Sequence, residues 1–480
     1  MNALFSYNKI TREIADEIKE KIGANNVCTD EEKLDTYSHD EVPQSSYGRK
    51  YTADMLLFPE STEHVAAIMK TAHKYRIPVT PRGAGTGLSG GALPIFGGIV
   101  MSFEKMNHIL ELDEENLTIT TEPGVVTAEI SRMAARHGLL YAGDPCSGDA
   151  SYIGGNIAEN AGGNKVIKYG ATGAQLLALE AVLPDGSVTW FGGKRRKDVT
   201  GLDFVHLIAG SEGILAVITK AVLKLLPLPR HSVDLLAAFP DAQTAINFVP
   251  RIISEGGLIP ASVEFLDKNA LSLAERYLHT SVPAGDAGAA LIIQLEDNDE
   301  ERVEEQFEAI GKLSQQHGAN EVYIADTRST RDRIWQARKS VPEAISSLYS
   351  RYSKEDLVVP TASVPALLEM VRSETEPYGL EYVTYGHAGD GNMHCTLICP
   401  DCPDWHEKLH ETQKRVYARL IKMGGTLSGE HGIGYKRKDY MKFFLDDAQI
   451  ELIKRVKLAF DPQNILNPGK LVDWENKSSD

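Results

Sequence analysis

Two histidines stand on either side of a short turn signal and could bind one metal ion. They are His387 and His394 in the run GHAGDGNMH, and the apolar stretches before and after this run predict two strands. Asp390 and Gly391 form a dipeptide that favours a tight β-hairpin turn. If these two residues are the centre of the turn, His387 faces His394, and their Cβ atoms are about 5 Å apart. Two imidazoles at this separation can share one divalent metal ion.

A later segment supplies further acid–base groups. Glu430 and His431 lie together in the run GEHG. Two histidines and one carboxylate are a common ligand set that leaves coordination positions open for a bidentate substrate. The remaining histidine of this segment could then act as a base. The alternative interpretation, two unrelated surface histidines in the hairpin, becomes weaker once this second segment is considered.

A glycine-rich run with the letters PRGAGTGLSGG begins at Pro81 and contains the spacing GxGxxG. In dinucleotide-binding folds those glycines must open a helix, so that the pyrophosphate lies at the helix N-terminus. More glycines and Pro94 follow here, so no helix is expected to begin, which argues against an NAD site. The exposed backbone N–H groups of such a run can still bind phosphate oxygens. A mobile surface loop is the alternative.

Two further glycine-rich runs weaken that alternative. The run GGNIAENAGG spans residues 154–163, and GSEG spans residues 210–213. Residues without bulky side chains let a flat ring or a pyrophosphate approach the backbone closely. Three such runs in one region predict a binding site for a cofactor that carries phosphate and an extended ring.

The spacing of apolar residues predicts an α+β protein with more than one domain. Ile10, Ile14, Ile18 and Ile22 recur every four residues and predict an amphipathic helix. A strand at 55–58, a helix that begins near 60–63 and a strand at 77–80 are expected to follow, and a helix over 300–316 is expected later. We expect an N-terminal helical segment at 1–50, a cofactor domain at 51–229 that ends at a prolyl stretch, and a second domain at 230–472.

The composition is that of a globular protein with an acidic surface. Of the 480 residues, 42% are hydrophobic and 24% are charged, and the formal net charge is −17. This charge argues against nucleic acid as a partner, and no run is long and apolar enough to span a bilayer. The start of the chain lacks a signal-peptide pattern, so a cytoplasmic location is expected. Five cysteines, with one CxxC pair at Cys399 and Cys402, do not indicate a disulfide framework, and we expect that pair to lie in a loop.

The three glycine runs, together with Asp144-Pro145, Tyr169-Gly170 and the closing segment 460–469, resemble a known flavoprotein family. The chain is similar to the FAD-linked D-2-hydroxyacid dehydrogenases, which include D-lactate dehydrogenase, the glycolate oxidase large subunit and D-2-hydroxyglutarate dehydrogenase within the vanillyl-alcohol-oxidase superfamily. The resemblance covers residues from about 30 to 471. It implies a PCMH-type FAD-binding domain of two subdomains, followed by an α+β substrate domain.

The resemblance also implies which residues hold FAD. The backbone of residues 82–88 is expected to bind the pyrophosphate. The full set of expected cofactor contacts is Pro81, Arg82, Gly83, Ala84, Gly85, Thr86, Gly87, Leu88, Asp144, Pro145, Ser151, Gly154, Gly155, Asn156, Asn160, Gly162, Gly163, Tyr169, Gly213, Ile218, Glu430 and Asn467.

For the chemistry, the resemblance implies a metal site beside the substrate. His387, His394 and Glu430 would bind a divalent ion, with zinc expected and manganese or iron as alternatives, and His431 would be the catalytic base. Arg338 would bind the substrate carboxylate, since a guanidinium can grip a carboxylate with two hydrogen bonds. Lys354 matches a second position that contacts substrate. For Arg338 a surface salt bridge is the alternative, and for Lys354 a solvated lysine.

The expected reaction is the oxidation of a small D-2-hydroxy acid, D-lactate or glycolate, with electrons passed to an electron-transferring flavoprotein or an iron–sulfur subunit. A homodimer is compatible with this expectation. Alternatives are a D-2-hydroxyglutarate or malate dehydrogenase and a non-redox FAD transferase of the alkyl-dihydroxyacetone-phosphate synthase type. The ending KSSD carries no peroxisomal signal, which argues mildly against the transferase. An inactive assembly subunit would not need the histidine set, and a zinc hydrolase would leave the glycine runs unexplained.

Overall fold

The computed structural model describes residues 5–42, 44–47, 49–284, 286–325, 327–400 and 402–474. Residues 477–480, which carry the ending weighed above, lie outside these ranges. Within the described ranges, no helix combines the length and the apolar character that crossing a membrane requires.

The described residues form strands of two to nine residues. The strands are β1 Val27–Cys28, β2 Met55–Leu57, β3 Val79–Arg82, β4 Ile99–Ser102, β5 Ile109–Asp113, β6 Thr118–Thr121, β7 Leu139–Leu140, β8 Leu176–Val182, β9 Val188–Gly192, β10 Val217–Lys224, β11 Leu226–Pro227, β12 His231–Phe239, β13 Ser262–Asp267, β14 Ala289–Asp297, β15 Glu321–Ala325, β16 Tyr352–Val358, β17 Glu381–His387 and β18 Asn392–Ile398.

The helices of the described residues alternate with these strands. They are α1 Arg12–Ile22, α2 Glu31–Tyr37, α3 Thr62–Tyr75, α4 Thr127–Arg136, α5 Ile153–Glu159, α6 Val166–Tyr169, α7 Phe204–Ile208, α8 Ala242–Ser254, α9 Lys268–Leu278, α10 Glu300–Gln316, α11 Arg328–Leu348, α12 Val364–Thr375, α13 Trp405–Leu420, α14 Met441–Phe444 and α15 Asp447–Phe460. The helix predicted over 300–316 is confirmed at both ends.

The chain divides into two compact units. The first comprises the residues up to Gly162, Ala171–Leu228 and the chain from Glu430 onward; the second comprises Gly163–Gly170 and Pro229–Gly429. The division after Leu228 falls at the prolyl stretch predicted as a boundary. The segments 1–50 and 430–472 differ from the predicted division, because both group with the first unit.

Backbone pairing explains that grouping. Val27 and Cys28 pair with β2. Near the other end of the chain, the Ile465 carbonyl accepts a 2.8 Å hydrogen bond from the N–H of Val79 in β3. The first unit is therefore assembled from segments that are distant in the sequence.

The first unit contains a four-stranded sheet with the order β1-β2-β4-β3, in which β4 runs parallel to both β2 and β3. The predicted helices α1 and α3 are confirmed. Ile14, Ile18 and Ile22 are buried on α1, and Val65, Ile68, Met69 and Ala72 form the buried face of α3. The Ser61 hydroxyl caps α3 by accepting the N–H of His64. This sheet and its helices bring the first glycine run to the end of β3.

A second sheet of the first unit has the order β5-β6-β10-β8-β9. Its strand β10 begins at Val217, shortly after the third glycine run, and continues to Lys224. The second glycine run was not predicted to be helical, yet its first part forms helix α5, which ends at Asn160 in a left-handed conformation (φ 52°). No helix begins in the first run, residues 83–91, as expected from its glycines.

The second unit is built on a seven-stranded sheet with the order β15-β12-β14-β13-β17-β18-β16, and every pair in it is antiparallel. β12 and β14 pair over nine residues, from His231 opposite Asp297 to Phe239 opposite Ala289. The polar side chains discussed below come from β13, β16, β17 and β18, and from helix α11.

The predicted register of the histidine hairpin is wrong by two residues. His387 pairs with Asn392, and Tyr385 pairs with His394. Residues 388–391 therefore form a four-residue loop, instead of a two-residue turn centred on Asp390 and Gly391. Because side chains alternate between the faces of a strand, a shift of two keeps both histidines on one face. They are diagonal neighbours with ring centroids 5.2 Å apart.

The CxxC pair follows β18 outside any helix or strand, as expected, but it also forms a disulfide that was not expected. Cys399 and Cys402 are joined by a disulfide, with their Cα atoms 5.7 Å apart. Cys28, Cys146 and Cys395 are not part of a disulfide. The bridge closes a short local loop directly after β18 and is not part of a framework that crosslinks distant elements.

The buried carboxyl group of Asp267 leads us to expect that the stability of the second unit depends on pH. Its carboxylate caps α9 by accepting the N–H of Ala270 at 2.7 Å, and it accepts the N–H of Thr384 at 2.7 Å. Burial raises the pKa of the Asp267 carboxyl from 3.8 to about 7. The folded state therefore holds this proton between about pH 4 and pH 7 while the unfolded chain has lost it. The Asp267 contribution to stability falls as pH rises through that window, by at most about 1.4 kcal/mol per pH unit.

We expect the difference in melting temperature between wild type and Asp267→Asn to be larger at pH 5 than at pH 8. Asp299→Asn, at the exposed cap of α10, is the control and should show a difference that changes far less between these pH values. A wild-type advantage that grows with pH would contradict the assignment.

Candidate functional site

A deep cavity lies within the first unit, and the glycine-rich runs form much of its wall. It encloses about 1350 Å³ of space, its open mouth included. The first run contributes Pro81 through Ser89, helix α5 contributes Gly154 through Asn156, and the third run contributes Gly213. The glycine-rich backbone of this wall has the chemistry that suits a phosphate-bearing cofactor.

The cavity wall contains buried polar groups that could bind a ligand. The Nε atom of Arg82 is buried without a hydrogen-bond partner among the described residues, and so is the Ser89 hydroxyl. The Arg82 guanidinium lies 4.8 Å from the ring centroid of Tyr37. Burial lowers the pKa of Arg82, although nearby tyrosines and carboxylates oppose this shift. A buried guanidinium with an unused N–H fits an anionic or strongly polar ligand.

Most of the cofactor residues predicted from the sequence line this cavity. They are Pro81, Arg82, Gly83, Ala84, Gly85, Thr86, Gly87, Leu88, Pro145, Ser151, Gly154, Gly155, Asn156, Gly213, Ile218, Glu430 and Asn467. The predicted base His431 lines it as well.

Five predicted cofactor residues do not line the cavity. Asp144 is exposed outside it, and the Asn160 side chain accepts the N–H of Gly173 at 2.7 Å. A Cβ on Gly162 would lie 2.6 Å from Glu430 Oε2, so this glycine permits close packing against Glu430. Gly163 and Tyr169 belong to the second unit, where the Tyr169 hydroxyl donates to Glu296.

Gly155 gives a direct test of what the cavity binds. It lies within α5 and lines the cavity, and a Cβ built on it would meet no atom within 4 Å. The side chain in Gly155→Val would therefore fill cavity space without disturbing the surrounding packing. Overpacking against a ligand costs about 1–3 kcal/mol, so FAD binding should weaken by roughly 10- to 100-fold. The measurement is the FAD dissociation constant of the apoprotein, with its melting temperature recorded alongside.

Gly311→Val is the matched control, because Gly311 also lies inside a helix, α10, with ordinary contact distance around its Cβ position. It should leave FAD affinity unchanged. Wild-type FAD affinity in Gly155→Val would rule out this cavity as the FAD site.

Three carboxylates on the cavity wall were missed in the sequence. They are Asp40, Glu159 and Glu212; Glu159 and Glu212 lie in glycine-rich runs that had drawn attention, but their carboxylates had not been selected. Burial raises the pKa of Glu159 well above its usual range, and the charges of Glu212 and Asp40 raise it further. Burial likewise raises the pKa of Asp40 to about 6. The first unit thus places acidic side chains on the same cavity wall as the glycine runs.

Glu430 and His431 belong to the first unit, on the cavity wall. His431 Nε2 lies 3.8 Å from Glu430 Oε1, and both side chains are largely buried. A general base must reach its proton at hydrogen-bond distance. A histidine on the wall of the cofactor cavity has the position for such a role.

The second unit contains a buried network around Glu264, a residue of β13 that the sequence did not reveal. Glu264 Oε1 lies 2.6 Å from His387 Nδ1, and Glu264 Oε2 accepts a 2.8 Å hydrogen bond from Arg338 Nε. Only 1% of Arg338 is exposed, so it is not a surface salt bridge. Its guanidinium stacks over Tyr385 at 4.9 Å.

The charges of this network explain its titration. Burial raises the pKa of the Glu264 carboxyl, but the positive charges of His387 and Arg338 outweigh this effect and lower it to about 2. Nδ1 of His387 is the ring nitrogen directed to Glu264. Metal-binding histidines commonly direct their other ring nitrogen to a carboxylate in this way.

The second hairpin histidine has a carboxylate of its own. His394 Nδ1 lies 3.6 Å from Asp356 Oδ1, and both residues are buried. Asn392 donates to the same oxygen at 2.7 Å, while the Ser428 hydroxyl and the N–H of Gly429 donate to Asp356 Oδ2. Asp356 was not selected in the sequence, since β16 carries no recognisable motif. It is a further oxygen donor suitable for a metal or for holding His394 in place.

Lys354 lies on β16, two residues before Asp356 and therefore on the same face of the strand. Its Nζ donates to the Ser346 hydroxyl at 3.2 Å and lies 5.6 Å from the ring centroid of Tyr352. The structure thus brings Arg338, His387 and His394 together in one network and places Lys354 toward the end of α11.

Comparisons with known proteins extend over almost the whole chain. Residues 53–192 match the family described as FAD binding domain, and residues 228–471 match the family described as FAD linked oxidases, C-terminal domain. The chain is 37% identical to the glycolate oxidase subunit GlcD of Bacillus subtilis, over 96% of this chain and 97% of that protein. It is 35% identical to a D-lactate dehydrogenase of Anaerostipes hadrus, over 97% of this chain and 98% of that protein.

Solved structures show the same fold at low sequence identity. p-Cresol methylhydroxylase superposes with a TM-score of 0.80 at 16% identity, over 98% of this chain and 99% of that chain. Alkyldihydroxyacetonephosphate synthase gives a TM-score of 0.75 at 19% identity, over 97% of this chain and 86% of that chain. At such identities the likeness concerns the fold alone.

The glycine-walled cavity and the matched domains define a class of flavoprotein, in which a PCMH-type FAD-binding domain is combined with an α+β C-terminal oxidase domain. Within that class, the chain belongs to the FAD-linked D-2-hydroxyacid dehydrogenase family, as its relatives show. It is an FAD-dependent hydroxy-acid oxidoreductase, which removes the support for the zinc-hydrolase alternative.

Proposed function

We propose that this protein oxidises a small D-2-hydroxy acid, D-lactate or glycolate, to the 2-oxo acid and passes the electrons to a partner protein. The observation that carries the proposal is the similarity, over nearly the full chain, to a glycolate oxidase subunit and to D-lactate dehydrogenases. The Bacillus relative is named a subunit, which fits an enzyme that works with an electron-transferring flavoprotein or an iron–sulfur protein.

The oxidation requires the loss of a hydroxyl proton and of a hydride from the α-carbon. Bound FAD supplies the electron sink for the hydride, since protein side chains offer none. His431, on the cavity wall, accepts the hydroxyl proton as general base. Removal of the hydroxyl proton lets a C=O bond form at the α-carbon as the hydride leaves. The hydride would carry two electrons to the flavin, and His431 would hold the proton.

His387 and His394 are proposed to bind a divalent ion, with Glu430 as the third ligand predicted from the sequence. A buried carboxylate lies beside each histidine, which supports this assignment, and the hydrogen-bond distance between His387 and Glu264 fixes the orientation of that ring. A bound ion would act as a Lewis acid that stabilises negative charge on the substrate hydroxyl oxygen. Zinc suits such nitrogen and oxygen ligands, and manganese or iron would also be accepted.

Arg338 is proposed to hold the substrate carboxylate and so to orient the α-carbon. Its Nε is engaged by Glu264, which fixes the plane of the guanidinium. Lys354 is proposed to add a second positive charge for the same carboxylate. Both cations would favour a hydroxy acid over a neutral alcohol.

The proposal is tested by anaerobic titration of the FAD-loaded protein with a panel of D- and L-2-hydroxy acids. Loss of the oxidised flavin absorbance identifies substrates, and the panel includes lactate, glycolate, malate and 2-hydroxyglutarate. We expect D-lactate or glycolate to reduce the flavin fastest and a chelator to slow the reaction. Flavin that no hydroxy acid reduces, with or without added metal, would refute the proposal.

A further inference from the structure

Glu212 stands in an unusual backbone conformation on the cavity wall. Its φ is 53°, and it lies between Gly210 and Gly213, which also have positive φ values. Residues with a Cβ seldom adopt this left-handed conformation, and where they do, the surrounding structure must hold them. The Glu212 N–H donates to the Ala158 carbonyl at 2.7 Å, and Asn467 Nδ2 donates to the Glu212 carbonyl at 2.8 Å.

The side chain of Glu212 grips the backbone that follows His431. Its Oε1 accepts the N–H of Ile433 at 2.7 Å, and its Oε2 accepts the N–H of Gly434 at 2.6 Å. Hydrogen bonds to an ionised carboxylate are short and strong, and two of them in parallel define both position and orientation. Neither oxygen is directed at a side chain, so the contact depends on main-chain geometry alone.

The backbone of the segment after His431 lies very close to two carboxyl groups of the cavity wall. Gly432 has a φ of 79°, and a Cβ there would lie 2.0 Å from Glu159 Oε2 and 3.3 Å from Glu212 Oε1. The chain directly after His431 therefore lies against these two carboxyl groups. A glycine is required at 432 both for the conformation and for the approach.

The same segment is also hydrogen-bonded to the first glycine run. The Ser89 carbonyl accepts hydrogen bonds from the N–H groups of Tyr435 and Lys436, each 2.9 Å long. Arg437 Nη1 donates to the carbonyls of Leu88 and Gly432, at 3.3 and 3.1 Å. The chain after His431 is thus hydrogen-bonded to two separate parts of the cavity wall. The bonds to Glu212, at residues 433 and 434, are the nearer of the two in sequence to His431.

We propose that Glu212 is a positioning residue that sets the location of His431 relative to the bound flavin. The inference rests on the proposed role of His431 as base and adds a residue that does not itself touch the substrate. Glu212→Gln is the informative variant, since an amide offers one oxygen acceptor and turns an N–H toward the other backbone donor. We expect FAD to remain bound and flavin reduction at saturating substrate to slow by about 10- to 100-fold, with little change in the substrate dissociation constant.

A double variant separates positioning from general damage. If Glu212 acts through His431, adding Glu212→Gln to His431→Ala should slow flavin reduction by less than about twofold beyond His431→Ala alone. If the two effects multiply instead, the inference is overturned. Glu180→Gln is the matched control, because Glu180 is also a buried carboxylate of the first unit that accepts from Thr219 and Lys220 but does not line the cavity. It should leave the rate of flavin reduction unchanged.

The outcomes distinguish this inference from the proposed function. A normal rate in His431→Ala alone refutes the proposed base, whereas a slow His431→Ala with a normal Glu212→Gln refutes the positioning role. Glu212→Asp keeps the charge on a shorter side chain and should fall between wild type and Glu212→Gln. If both Glu212 variants lose FAD altogether, Glu212 shapes the cavity itself and the inference fails.

Discussion

Replacing His431 with alanine is expected to leave FAD bound and to slow the reduction of the flavin by substrate by about 10²- to 10⁴-fold. This is the usual contribution of a positioned general base. The physical reason is that the hydroxyl proton must leave as the hydride departs, and His431 lies on the wall of the cavity proposed to hold FAD. Stopped-flow measurement of flavin absorbance under anaerobic conditions, at saturating substrate, gives the rate directly.

His206→Ala serves as the control for this variant. His206 is an exposed histidine of the same unit, with 55% of its side chain accessible, and it pairs with Asp203 at the surface. Its removal should leave flavin reduction unchanged. A His431→Ala protein that reduces its flavin at the wild-type rate would show that another group takes the proton.

Replacing His394 with alanine is expected to lower metal affinity by at least about 10- to 100-fold, a loss known even from removing an outer partner of a metal ligand. Activity should fall with metal content, because the ion would stabilise charge on the substrate oxygen. Metal is measured by elemental analysis of the purified protein, and the rate of flavin reduction is measured before and after addition of zinc or manganese.

The control here is His406→Ala, which removes an exposed histidine from α13 of the same unit. It should retain wild-type metal content and activity. If His394→Ala binds as much metal as wild type, the hairpin histidines are not the ligands, and their contacts with Glu264 and Asp356 would then be purely structural ion pairs.

The sequence predicted the parts of the site that depend on local patterns. The glycine runs are local in sequence, and their lack of bulk led directly to the cavity wall. The hairpin histidines were predicted to share a face, and they do, although the pairing partner of each was wrong. Side chains along a strand alternate between its two faces, so a register shift of two residues leaves both histidines on the same face.

The partners of these residues could not be predicted, because they come from distant strands. Glu264 approaches His387 across the pairing of β13 with β17, and Asp356 approaches His394 across the pairing of β16 with β18. Such contacts follow from strand order, which no single stretch of sequence encodes. Glu212 was hidden for another reason: its importance lies in hydrogen bonds to backbone N–H groups, and these leave no trace in the identity of residues 433 and 434.

Strand β3 and the residues near 465 are hydrogen-bonded in the folded protein, although most of the chain lies between them in the sequence. The Val79 N–H donates to the Ile465 carbonyl, and the Val79 carbonyl accepts from the N–H of Asn467 at 2.7 Å. Ile465 and Leu466 fill the same hydrophobic core as α1 and α3. On the ribosome, where domains fold as their residues emerge, the unit that begins first must wait for the last part of the chain. The second unit, nearly continuous from Pro229 to Gly429, can close before it.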